Sequence, residues 1–221
     1  MKRGVAGATM AGMELTLPLL QEKLKAWKGC PLHETANPVL GEGNPQAEVM
    51  FIGEAPGEQE DKLGRPFVGP AGKFLDELLM SIGLKRADVY ISNVVKYRPP
   101  ANRDPTDDEK AQCMPWLKME MALIKPKVIV PLGRHALGHF FQKLSITAAH
   151  GKPQKLTDDV TVFPIYHPAA ALHNGNLREA LFEDFRALGL FLETTKKNNE
   201  LGIKNNELGI KNDEKEVILT S

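Results

Sequence analysis

Cysteine is scarce in this chain of 221 residues: there are two, Cys30 and Cys113, far apart in sequence. Two thiols build no disulfide framework, and by themselves they cannot complete a four-thiolate metal site. Net charge is absent as well, because 28 Lys and Arg are balanced by 28 Asp and Glu. No global basic field advertises a nucleic-acid partner, so any such binding must use a local patch. No apolar run is long enough to span a membrane. The N-terminal stretch MKRGVAGATMAGMELTLPLL has a basic start, but its longest uncharged run is Gly- and Thr-rich and makes a weak secretory signal. A cytoplasmic protein is expected. What remains is ordinary for a globular chain: 42% hydrophobic residues and a length that favours one domain with a sizeable core.

One stretch stands out, Gly53 to Gly72, which reads GEAPGEQEDKLGRPFVGPAG. It follows the apolar run Val49-Met50-Phe51-Ile52, which has the look of a buried strand. It precedes Phe74, Leu75, Leu78, Leu79 and Ile82, spaced like one helix face. The stretch is therefore a long strand-to-helix loop. It carries five glycines, and Glu54, Glu58, Glu60 and Asp61 crowd four carboxylates into it. Phe67 is held between Pro66 and Val68 on a stiffened backbone. A surface turn with solvated acids would explain most such loops, but this mixture is more than a connector needs, and loops on rigid scaffolds carry function.

The rest of the chain alternates strands and helices. Pro18 can open a helix with Leu19, Leu20, Leu24 and Trp27 on one face, and Gly29 ends it. Strands are expected at 48–53, 89–96, 127–133 and 160–166, with helices between them. Thr106 and Glu109 make a capping box, and Pro115 should break the helix it starts. A stiff basic loop, Tyr97 to Pro105, follows the second strand, and the loop His167 to Asn174 follows the fourth. The expected fold is α/β, on a central, mostly parallel four-stranded sheet. Ligands bind such sheets outside the carboxyl ends of the strands. That edge collects Glu60, Phe67, Asn93, Asn102 and His167 from distant parts of the chain.

Residues 1–28 read as a leader and helix, 29–193 as the main domain, and 194–221 as a tail. In the tail Asn198-Asn199-Glu200-Leu201-Gly202-Ile203-Lys204 is repeated without change from Asn205 to Lys211. Two copies are too few for a solenoid, and the glycine in each weakens a helix, so an appendage with little structure is expected.

With these loops in view, the chain from about Cys30 to Leu192 resembles the family-4 uracil-DNA glycosylases. The resemblance rests on GEAPGEQED, GRPFVGPAG, NVVKYRPPANRDP and HPAAAL in the family's order and spacing. It implies a three-layer α/β/α sandwich and hydrolysis of the N-glycosidic bond of deoxyuridine in DNA, single- or double-stranded, with no membrane and no obligate protein partner. It also implies a set of roles. Glu60 would orient water and stabilise the cationic sugar. His167 would donate a hydrogen bond to the departing base, and Asn102 would lie near the reaction centre. Gly53, Glu54, Ala55 and Gly57 would shape the substrate loop. Phe67 would stack on the base, and Asn93 would read its edge with both amide donor and acceptor. Lys96, Arg98 and Arg103 would contact phosphates, and Leu172 would wedge into the duplex.

The chain departs from the family at its metal site. Members hold a four-iron, four-sulfur cluster with four cysteines. Here Cys30 and Cys113 match two of them, while Trp27 and Tyr97 stand at the other two positions. Neither indole nor phenol replaces a thiolate, so no cofactor is expected, with aromatic packing in the cluster's place. The alternative function is a uracil-DNA binder that does not turn over or that traps DNA covalently. The trapping branch has a glutamine in place of Ala55 and a basic insertion after the residue matching Tyr97, and this chain has neither.

Overall fold

The computed structural model of the chain describes residues 9–10 and 13–200. A two-stranded hairpin, β1 (Thr9–Met10) and β2 (Met13–Glu14), leads into α1 (Leu17–Ala26), which Thr16 caps and Pro18 opens. The main sheet follows with β3 (Glu42–Gly43) and β4 (Val49–Gly53). Next come α2 (Glu58–Leu63), α3 (Pro70–Ser81), β5 (Tyr90–Asn93), α4 (Asp107–Ile124) and β6 (Val128–Pro131). The chain continues through α5 (Gly133–Gly138), α6 (Ile146–Ala149), β7 (Gln154–Lys155), β8 (Thr161–Val162), α7 (Pro168–His173) and α8 (Asn176–Glu200).

The strand order is β3-β5-β4-β6-β8-β7. The four middle strands are parallel, and two-residue antiparallel strands close the edges. The α/β sandwich stands, but among the described residues the sheet has six strands rather than four. The extra pairs were not legible because two-residue strands leave no periodicity to read.

Period-2 alternation sorts each strand between two cores. Met50, Ile52, Tyr90 and Ile129 pack with Leu20 and Leu24 of α1 and with Trp116 and Leu117 of α4. Val49, Phe51, Ile91 and Val130 pack with Leu75 and Leu78 of α3 and with Leu181 and Phe185 of α8. Because α1 buries Leu20 and Leu24 in the shared core, a boundary at 28 divides nothing structurally. At the other end α8 runs past 193 to Glu200. The leader reading of residues 1–8 and the tail reading of 201–221 lie outside the described residues. No helix among the described residues is long and apolar enough to cross a membrane.

Four local expectations change. Pro115 does not end a helix: α4 runs unbroken over 18 residues. Its inner side buries Cys113, Trp116, Leu117 and Glu120, and that packing offsets the one hydrogen bond a proline forfeits. The Gly53–Gly72 loop contains α2, and the segment after His167 is helical as α7. The second strand stops at Asn93 rather than continuing to 96.

Candidate active site

Register brings the site together. In the parallel pairing of β4 with β5, Gly53 lies opposite Asn93. Both end at the carboxyl edge of the sheet, where Asn93 lines a cavity of about 350 Å³ with Glu54, Phe67, Asn102 and His167. A larger cleft of about 600 Å³ lies near the amino ends of β4 and β6, lined by Val49, Val128 and α8 residues. It receives none of the loops that carry the acids, the amide and the imidazole, so the smaller cavity is the chemical one.

Gly53 is a glycine for a local reason. A Cβ there would come 2.4 Å from Asn93 Oδ1 and 2.6 Å from Phe67 Cζ. Amide, ring and strand backbone meet with no room between them. Asn93 is buried, and its Oδ1 has no hydrogen-bond partner. An orphaned buried acceptor is costly, and in a cavity wall it marks where a ligand's N–H belongs. Phe67 is buried with φ at 52°, a left-handed conformation uncommon for a bulky residue. Its ring centroid lies 5.7 Å from that of His167.

His167 caps α7, and its Nδ1 accepts the Ala169 N–H at 3.1 Å. With Nδ1 an acceptor, the ring proton of the neutral form sits on Nε2. Burial pushes the imidazole down to about 4, against the pull of Glu60, so the ring is neutral at physiological pH.

The two acids differ in what holds them. Glu60 is committed to backbone: Oε1 accepts from Val68 N (2.8 Å) and Gly69 N (2.7 Å), and Oε2 accepts from Gly57 N (3.2 Å). It clasps the loop shut instead of standing ready to orient water. Glu54 has no such set of backbone donors. Its Oε1 is buried without a hydrogen bond, and burial first and then Asp104 push the carboxyl up to about 7. His135 Nδ1 lies 3.3 Å from that oxygen, and Asp104 lies 3.4 Å from His135 Nε2. His135 and Asp104 were missed from sequence. The available signal was the place of His135 just beyond the carboxyl end of the third parallel strand, the same edge that singled out the other loops.

The DNA-contact residues divide. Lys96 is wholly buried, with Nζ paired to Glu120 and bonded to Ser92 Oγ (2.8 Å) and Asn93 O (2.6 Å). It is not a phosphate ligand. The chain bends after Asn93, and the bend turns this side chain inward instead of along a strand face. Arg98 donates to Asn102 Oδ1 at 2.7 Å. Arg103 grips Glu109 through two hydrogen bonds, 2.8 and 2.6 Å. Leu172 is exposed on α7.

Cys30 and Cys113 are buried, free and close enough to share a hydrogen bond. Burial pushes the Cys113 thiol up to about 12. Trp27 stacks on Tyr97 with centroids 6.0 Å apart, and the Tyr97 hydroxyl donates to Trp27 O at 2.9 Å and Leu24 O at 3.3 Å. All four positions of the expected metal site therefore meet in space.

Residues 40–187 match the family model described as the Uracil DNA glycosylase superfamily. The chain is 48% identical over 192 residues to a type-4 uracil-DNA glycosylase of Sulfurisphaera tokodaii, covering 82% of this chain and 87% of that protein. It is 47% identical to a type-4 uracil-DNA glycosylase of Saccharolobus solfataricus, covering 77% and 83%. It is 44% identical to one of Thermotoga maritima, covering 81% and 96%.

These relatives correct the expectation of a protein without a cofactor. They are type-4 enzymes, and the four-iron, four-sulfur cluster belongs to that type, so membership speaks for a group that the cysteine count argued against. The residues gathered at the site are two thiols, an indole and a phenol, and this donor set does not fit a cluster held by four thiolates.

Proposed function

The chain belongs to the uracil DNA glycosylase superfamily, and from that premise we infer that it is a uracil-DNA glycosylase, an N-glycosyl hydrolase that releases uracil from DNA and leaves an abasic site. The observation that carries the site assignment is the orphaned Asn93 Oδ1 in the cavity wall. Uracil presents an N–H flanked by carbonyls. Asn93 Oδ1 accepts that N–H, and its NH2 donates to the neighbouring carbonyl. Cytosine presents a ring nitrogen acceptor at the same place and leaves Oδ1 unsatisfied, which is how a polar site rejects the wrong base.

A glycosylase takes its base out of the stack and into a pocket. Phe67 covers one face of the flipped uracil. As the C1′–N1 bond breaks, its electron pair leaves with the base and the charge spreads onto a carbonyl oxygen. His167 Nε2–H donates to that oxygen, as a neutral imidazole can. Water attacks C1′ and gives its proton to the Glu54 carboxylate, whose charge also stabilises the cationic sugar. Glu60 keeps the loop in shape, and Arg98, Arg103 and Leu172 face the DNA. Action on DNA fits the expected cytoplasmic location.

The test is release of free uracil from uracil-containing oligonucleotides, single- and double-stranded, read as alkali-labile sites. Asn93→Asp places a carboxylate where the amide donor was and should lose most excision. A folded wild-type protein that yields no scission above background overturns the reading.

A further inference from the structure

We propose that Arg86, which lies outside the cavity, is the positioning residue that holds Phe67 in its stacking geometry; this rests on the reading that Phe67 covers the flipped base. Phe67 sits at φ 52° without a glycine's freedom, so something must hold it there. Arg86 Nη1 donates to Phe67 O at 2.9 Å, and Nη2 donates to Pro66 O. The same guanidinium is anchored by Glu42 Oε1 at 3.0 Å through Nε and by Asp76 Oδ1 at 3.2 Å.

From the other side, Gly72 leaves the Phe67 carbonyl its space: a Cβ at Gly72 would fall 1.8 Å from that oxygen. The next two amides, Val68 N and Gly69 N, are taken by Glu60. One cation therefore holds the carbonyls of this turn and one anion holds its amides. The clamp also reaches the other wall of the pocket. Glu42 lies on β3, in register with Ile91 on β5, two residues before Asn93. Ring and amide are tied to one frame. Lysine could not replace Arg86, because a single ammonium lacks the planar fork that serves two carbonyls and two carboxylates together.

The test is a double-mutant cycle on single-turnover excision and on affinity for uracil-containing single-stranded DNA, using Arg86→Ala, Phe67→Ala and the double variant. Arg86→Ala should lower excision roughly tenfold or more, as expected of a displaced contact, and Arg86→Lys should not restore it. In the Phe67→Ala background the Arg86 change should add less than about twofold, because coupled residues are non-additive. Guanidinium ion at low millimolar concentration should rescue Arg86→Ala and leave the double variant unrescued. Wild-type excision by Arg86→Ala, or the same loss from it in both backgrounds, overturns the proposal alone. Wild-type excision by Phe67→Ala overturns the stacking reading and this proposal with it. If Arg86→Ala does not fold, Arg86→Lys carries the same cycle.

Discussion

Lys96 and Glu120 form an ion pair whose two side chains are both fully buried, and the same ammonium holds the main-chain carbonyl of Asn93. Glu120 in turn accepts from Tyr90, Ser92 and the Gly41 amide. The strand end that carries the base-reading amide is thus set by charge as well as by apolar packing. Glu120→Ala should cost about 3–5 kcal/mol in urea unfolding, because it strands a buried ammonium. If Lys96 instead contacted phosphate, Lys96→Ala would reduce the salt dependence of DNA binding; that slope should stay at its wild-type value.

Excision should depend on pH through Glu54. Its carboxyl is pushed up to about 7, and only the ionised form accepts the water's proton. Single-turnover rates should therefore rise from pH 6 to 8 with a midpoint near the Glu54 value. His167, held down to about 4, stays neutral across that window and adds no inflection. Glu54→Gln should flatten the profile and slow excision by about 10²–10⁴-fold. A wild-type profile that is flat from 6 to 8 would remove Glu54 from this role.

Gly53→Ala tests the contact between amide and ring. The new methyl group would meet Asn93 Oδ1 at 2.4 Å and Phe67 Cζ at 2.6 Å, so one of them must move. Excision should drop about 10²-fold, the scale of an ångström-level misplacement. Far-UV circular dichroism should still report the folded sheet, and retention of full activity would mean that the pocket is more yielding than its contacts imply.

His167→Ala should slow the chemical step by about 10²–10³-fold, as loss of one donor to a developing anion does. Affinity for uracil-containing DNA should change far less, because the donor matters most when charge has moved onto the base. Equal losses in affinity and rate would reassign His167 to binding.

Tyr97→Phe removes the hydroxyl that donates to Trp27 O and Leu24 O. The half-buried Trp27 carbonyl then loses this donor, while Leu24 O keeps the Trp27 N–H, at a cost of about 1 kcal/mol, measured as a lower urea midpoint. Uracil release per folded molecule should be unchanged, since Tyr97 does not line the cavity.

Much of this was legible in the chain alone. The alternation of strands and helices led to an α/β fold, and the rule that ligands bind beyond the carboxyl ends of parallel strands picked out Glu60, Phe67, Asn93, Asn102 and His167. Those inferences depend on local patterns, hydrophobic period and turn residues, which neighbours in sequence largely decide. The resemblance, rather than residue type alone, nominated an amide for reading a base and an imidazole for meeting an anion.

What the tertiary structure decided is which partner each polar group has. Glu60 and Glu54 are alike in sequence, six residues apart, yet one is consumed by three backbone amides and the other is left with a buried free oxygen. Lys96 reads as part of a basic loop, yet it answers Glu120 from a helix 24 residues away. Pro115 reads as a break, yet buried neighbours carry α4 through it. Protonation, charge pairing and loop strain depend on what lies across space from a group, and burial multiplies their strength by excluding water. Those distances come from the packing of remote segments, which no local stretch of sequence contains.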